Sequence, residues 1–293
     1  MENAVENAVE DAIAYMRERY GDPLSIAQIA ARVMLSRFYF TRIFKDETGT
    51  SPGKFLAAIR IQEARRLIET TSMSVTDVSI AVGYNSLGSF TNAFTASVGV
   101  SPGRLRRGLW DGVPHPDRAS AGLRGTVAGT VGLPAGHGNA QVFVGAFDTP
   151  VLQHPCRAWS VIDVPAGRPS CYSVRNVPEG EWYLLAVAVA AGAGHDEPLR
   201  TTLVAGPGRA PVEVTAAGVT SAAVRLRRPL ATDPPVLLAL PGLEPPRTVR
   251  THPGCASAGA DARTAGPAAA LPVSSAALPG PALAGPRPVL SRT

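Results

Sequence analysis

Apolar positions along the first 110 residues recur at the helical period. Val5, Val9, Ile13, Met16 and Tyr20 fall three or four residues apart, and Gly21 with Asp22-Pro23 ends that run, so the spacing predicts a helix from Asn3 to Tyr20. Ser25 opens a second, short helix to Arg32, with Gln28 placed to complete a capping box and Leu24 to pack on Ile29. Val33-Met34-Leu35 reads as a tight turn, and Ser36 caps a third helix to about Thr48. A short helix, a tight turn and a longer helix make a helix-turn-helix plan. Ser51 and Pro52 start a fourth helix, whose apolar side is Phe55, Ile59, Ala64, Leu67 and Ile68. Further helices are expected at about Val75 to Ala81 and Ser86 to Val98, on either side of a Gly83-Tyr84 turn.

This pattern contains a repeat. Ala31, Ser36, Phe40, Thr41, Phe44, Gly49, Ser51, Pro52 and Gly53 recur 50 residues later as Ala81, Ser86, Phe90, Thr91, Phe94, Gly99, Ser101, Pro102 and Gly103. Solenoids need three or more such units to bury a continuous core, so two copies fit paired recognition modules better.

After Trp110 the period changes. Asp111 to Ser120 is Gly- and Pro-punctuated and reads as a linker (111–120) between a helical domain (1–110) and a β domain (121–230). Short apolar runs follow at Thr126 to Val131, Gln141 to Phe147, Trp159 to Val164, Cys171 to Val174 and Glu181 to Ala190. Three more stand at Arg200 to Val204, Val212 to Thr215 and Ala222 to Leu226. Regular short strands with turn signals predict an all-β sandwich or barrel, with the clearest hairpin from Tyr172 to Leu184. Residues 231–293 are rich in Pro, Ala and Gly, and the expectation there is a disordered tail. The fold class is therefore an all-α double helix-turn-helix domain, then an all-β sandwich, then the tail.

The third helix has two unlike faces. Phe40, Ile43 and Phe44 form one stripe; Phe38, Thr41, Arg42 and Lys45, with Arg37 beside them, form the other. Cations, a hydroxyl and an exposed ring suit a major groove, through phosphate neutralisation, base-edge hydrogen bonds and thymine-methyl contact. A solvated face is the plainer alternative. In the second copy the outward stripe is Gly88, Thr91, Asn92 and Thr95, which has no cation. Either this helix docks weakly, or Thr91 and Asn92 read base pairs of their own. A fourth helix of about 18 residues spans ~27 Å, so the two helices could enter grooves ~34 Å apart.

Charge adds little. The whole chain carries a formal +5, but residues 1–112 hold 13 Lys plus Arg against 12 Asp plus Glu, so any basic footprint comes from placement. That balance disfavours a non-specific architectural DNA protein.

Residues 5 to 110 resemble the DNA-binding domain of the AraC/XylS family of bacterial transcription regulators. The resemblance rests on Ile26-Ala27-Gln28-Ile29-Ala30, on Phe40-Thr41-Arg42-Ile43-Phe44-Lys45 through Ser51-Pro52, and on Ile59 to Ile68. It continues in Val75 through Gly83-Tyr84, Ser89 to Phe94 and Gly99-Val100-Ser101-Pro102. It implies seven helices and base contacts from Phe38, Thr41 and Arg42. Where the family commonly has an Arg this chain has Asn92. The order also departs from the family, whose reader is usually C-terminal. The run Tyr172 to Leu184 resembles a prealbumin-like or carboxypeptidase-regulatory-like sandwich.

Catalytic signatures of related sandwiches are missing from the sequence. His115, His137, His154, His195 and His252 are scattered through Gly/Pro-rich loops, and a metal site from His154, Cys156 and His195 would need three unrelated loops to meet. Trp159, Trp182 and Tyr183 read as core more readily than as a ligand surface. Cys156, Cys171 and Cys255 lack metal spacing, as in a reduced cytoplasmic protein. The longest apolar run, Trp182 to Ala191, is half a membrane span.

The expectation is a cytoplasmic, sequence-specific DNA-binding transcription regulator, not an enzyme, without cofactor or metal. Its partners would be double-stranded DNA and, for an activator, RNA polymerase, with no membrane. The sandwich would sense a small-molecule effector or form a homodimer. The alternative is a small-molecule-binding or enzymatic β-sandwich that carries the reader only for localisation.

Overall fold

The computed structural model describes residues 2–109, 122–192, 201–205, 211–240 and 242–249. Its first part is helical: α1 (Glu2–Glu18), α2 (Ile26–Arg32), α3 (Arg37–Thr48), α4 (Pro52–Thr70), α5 (Val75–Ala81), α6 (Leu87–Val98) and α7 (Pro102–Arg106). The boundaries follow from caps. The Ser25 hydroxyl accepts from the Gln28 amide at 3.2 Å while the Gln28 side chain accepts from the Ser25 amide at 2.8 Å, a closed capping box. The Ser36, Ser51 and Ser86 hydroxyls accept the Tyr39, Lys54 and Ser89 amides at the starts of α3, α4 and α6, without the reciprocal bond of the box, and Gly49 and Gly99 end α3 and α6 at φ 74° and 89°. The turn inside each unit also takes a left-handed residue, Met34 at φ 56° in the first and Gly83 at φ 81° in the second.

Each copy has its own core, and α4 serves both. Phe55, Leu56 and Ile59 pack with Met16, Phe40 and Phe44, whereas Ala58, Ile61, Ala64 and Ile68 pack with Val78, Phe90 and Phe94. Arg60 ties the end of α1 to this rod, donating from Nε to the Tyr20 carbonyl and from Nη2 to the Asp22 carbonyl, both at 2.8 Å.

The β-rich part holds two sheets. In the first, β4 (Ser170–Pro178), β1 (Arg124–Gly132) and β8 (Val219–Ser221) lie in that order, and β9 (Val224–Arg225) also pairs with β1. In the second, β3 (Cys156–Val164), β2 (Ala140–Phe147), β5 (Gly180–Ala190) and β6 (Thr201–Ala205) lie in order, and β7 (Val212–Val214) pairs with β5. One cluster joins them: Val127, Val131 and Val174 from the first sheet pack with Val142, Val144 and Leu203 from the second. Alternation along β5 places Trp182 against this cluster and Tyr183 on the opposite face.

Three expectations need correction. The run Tyr172 to Leu184 is not a hairpin, because β4 pairs with β1 and β5 with β2, so the Asn176-to-Gly180 turn carries the chain from one sheet to the other. Asn176 is the extra residue at the register shift opposite Gly125 and Thr126, at φ 61°. The expected disordered tail does not begin at residue 231. The outer face of the second sheet is apolar, with Phe143, Leu185 and Val187, and Leu238 and Leu243 cover it while Leu237 and Ala239 enter the core of the second helical copy. The third correction concerns Cys171, which is disulfide-bonded rather than reduced. It sits exposed on the edge strand β4, and spacing along a chain says nothing about which thiols meet in space. The expected linker 111–120, His115, His195, His252, Cys255 and the stretch 250–293 lie outside the described residues.

Candidate nucleic-acid interface

The rotation of α3 is fixed by what it buries. Phe40, Ile43 and Phe44 face the core, with the two phenylalanine rings 5.4 Å apart, so the residues between them must face outward. Phe38 is 86% exposed, and Arg37, Arg42 and Lys45 are exposed as well. Thr41 is half-buried, and its hydroxyl donates to the Arg37 carbonyl at 2.8 Å, which leaves its methyl and oxygen lone pairs for a partner. The Arg42 guanidinium lies over the Tyr39 ring, 5.5 Å from its centroid. Tyr39 thus positions Arg42, a role the sequence reading missed, although the i, i+3 spacing signalled it. Among the described residues no carboxylate is paired with Arg37, Arg42 or Lys45, so their charge is available to an anion.

The second unit keeps the scaffold and changes the face. Phe90 and Phe94 are buried with rings 5.6 Å apart and tilted 52°, close to the 58° of the first pair. Gly88 and Asn92 are exposed, and Thr91 and Thr95 are half-buried. Leu87, 42% exposed, stands where α3 has Arg37. From Leu87 to Val98 there is no Lys or Arg, so this face offers hydrogen-bonding groups and methyls without charge.

The two helix ends also differ in what lies against them. At the end of α6 the β-rich part closes in: the His154 amide donates to the Ser97 carbonyl at 2.8 Å and the Ala239 amide to the Val98 carbonyl at 3.1 Å. The His154 ring is so close that a Cβ at Gly99 would sit 3.1 Å from Nδ1. Burial, and then the nearby Arg157, hold the His154 pKa below its ordinary value, and Nδ1 is buried without a hydrogen-bond partner. At the end of α3, by contrast, Lys45 and Gly49 border two adjoining cavities of about 650 and 480 Å3.

The other candidates scatter. The Cys156 thiol points into the sheet and donates to the Ala158 carbonyl at 3.4 Å, and burial pushes its pKa up to about 12, so it is neither a ready nucleophile nor a ready metal ligand. The His154 ring faces Gly99. Among the described residues no group of three or more His, Cys, Asp or Glu side chains is placed to hold a metal, and no helix is long and apolar enough to cross a membrane. Trp159 stacks on Phe143 at 5.7 Å and Trp182 donates to the Pro178 carbonyl at 2.7 Å, both as structural groups. Tyr183 lines both cavities, which the sequence reading set aside in favour of core.

Residues 29–108 match the family model of a helix-turn-helix domain. An uncharacterized HTH-type transcriptional regulator, YobQ of Bacillus subtilis, is 34% identical over 99 residues, covering 34% of this chain and 41% of the relative. The HTH-type transcriptional regulator Rv1931c of Mycobacterium tuberculosis is 34% identical over 91 residues, covering 31% of this chain and 35% of the relative. The chain thus spans about two fifths or less of the length of these curated relatives. Among solved structures, the DNA-binding domain of the global transcriptional factor AdpA, in complex with a target DNA, is 30% identical with a TM-score of 0.33, covering 34% of this chain and 90% of that one.

Proposed function

We propose that this chain is a sequence-specific DNA-binding transcription regulator in which α3 and α6 enter successive major grooves on one face of the duplex. The observation that carries this reading is the twice-built unit itself, with its buried phenylalanine pairs kept alike and its outward faces left exposed and free to differ. At ~1.5 Å per residue the 19 residues of α4 span about 28 Å, a fit to helices one groove repeat apart. Arg37, Phe38, Thr41, Arg42 and Lys45 supply phosphate and base contacts from α3. Gly88, Thr91, Asn92 and Thr95 supply close approach and uncharged readout from α6.

The β-rich part is read as a sandwich, since one cluster joins its two sheets, and it serves to sense an effector or to pair two chains. We assign it no catalytic role. Contact with RNA polymerase, for an activator, and a location with the DNA in the cytoplasm belong to the same proposal. Binding isotherms of the whole chain on chromosomal fragments and on scrambled duplexes of equal length test it. A site bound at least ~10³-fold more tightly than scrambled DNA supports sequence-specific reading. Equal affinity for all duplexes would refute it.

A further inference from the structure

The internal repeat offers a control for the surroundings of each recognition helix. At the end of α6, the place around Gly99 is filled by His154 and the 236–239 segment. At the equivalent place in the first copy, Gly49 and residues 148–151 of the β-rich part line the cavity of about 480 Å3. That volume lies within the range of about 300 to 1,000 Å3 usual for small-molecule sites.

Its lining has a definite chemistry. Lys45 and Lys54 border it, and neither is paired with a carboxylate among the described residues. Asp148, the acid on the same wall, is already engaged by Arg157, with Nη2 and Oδ2 at 2.7 Å. Ala57, Ile61 and Val151 give an apolar wall, and Tyr183 adds a ring and a hydroxyl. Two uncompensated cations beside apolar surface suit an acid group on an apolar body.

We propose that this cavity binds a small organic anion with an apolar body, its acid group held between Lys45 and Lys54. The walls come from α3, α4, α6 and the β-rich part, so an occupant touches both reading units at once. Lys45 also belongs to the outward face of α3, and a bound anion therefore competes with a DNA phosphate for it. This consequence rests on the proposed DNA reading, whereas the cavity itself does not.

The probe is 8-anilinonaphthalene-1-sulfonate, an aromatic sulfonate, titrated into the whole chain and followed by fluorescence. Lys54→Glu reverses a charge on an exposed side chain, and Ala57→Trp fills the cavity without touching a charge; melting curves check that both fold. Arg168→Glu, an exposed charge on the distant 165–169 turn, is the control. The first two changes should weaken probe binding at least about tenfold and the control should leave it unchanged. Unaltered binding in a folded Lys54→Glu or Ala57→Trp overturns the proposal, as does equal weakening by Arg168→Glu. Duplex binding by the wild-type chain, followed by anisotropy in parallel, should weaken as the probe saturates, and indifference to the probe overturns the competition at Lys45. A chain that binds the probe but no duplex overturns the DNA reading alone.

Discussion

At positions 50 residues apart, α3 carries Arg37, Phe38, Arg42 and Lys45 where α6 carries Leu87, Gly88, Asn92 and Thr95, while the Phe40–Phe44 and Phe90–Phe94 pairs keep nearly the same ring spacing. The end of α3 opens on a cavity, and the end of α6 is packed against the β-rich part through Ser97, Val98 and Gly99. Duplication has preserved what folds the unit and released what faces a partner. The charged helix ends beside the cavity, and the uncharged helix ends on backbone hydrogen bonds from the β-rich part.

The strongest way to break this comparison is to remove the anchor from the second copy. Leu237→Ala deletes a buried side chain from the core shared with Phe94 and Val98, at a cost of about 2 to 5 kcal/mol. Hydrogen exchange should show α6 amides losing more protection than α3 amides. Equal losses would mean that the 236–243 segment does not favour one unit.

A glycine substitution sharpens the comparison from the second copy. Gly99 sits at positive φ, so alanine there costs about 1 to 2 kcal/mol of backbone strain. The new Cβ also meets the His154 ring, so Gly99→Ala should lower the denaturation midpoint further in the wild-type chain than in a His154→Ala background. An equal loss in both backgrounds would mean that His154 does not crowd the end of α6.

Next in size come the faces themselves. Arg42→Ala should cost about 1 to 3 kcal/mol on the specific site and relax preference there, as loss of a base contact does. Isotherms on specific and single-base-changed sites measure this. An unchanged specificity ratio would make Arg42 a phosphate contact instead.

The smallest effect tests the bare face of α6. With few phosphate contacts, the slope of log affinity against log salt should be roughly −3 to −5 for one chain, at ~0.9 per contact. Asn92→Arg should steepen it by about one and tighten binding to many sequences alike. If Asn92 instead reads an adenine, the same change weakens specific binding and removes a base preference.

The helical copies were legible because their signals are local. Ser25 with Gln28, Ser36, Ser51-Pro52 and Gly49 sit within a turn of what they cap, and the structure has each in that role. Strands other than β8 (Val219–Ser221), which falls between two apolar runs, were found for the same reason, but their sheets were not. The turn from Asn176 to Gly180 looks like a hairpin locally, and only long-range pairing with β1 on one side and β2 on the other makes it a crossover. Leu237, Leu238 and Leu243 were lost among Pro, Ala and Gly because a sparse apolar set suffices where a finished sheet face needs cover. The cavity at Gly49 was invisible since Lys45, Lys54, Val151 and Tyr183 come from well-separated segments.

Phosphate-ethylation interference on a bound specific site tests the unequal pair most directly. The account predicts two protected blocks about one helical turn apart, ~10 base pairs, with interference concentrated on the block that Arg42→Ala disturbs and weak on the other. Equal interference at both blocks, or a single block alone, would contradict it.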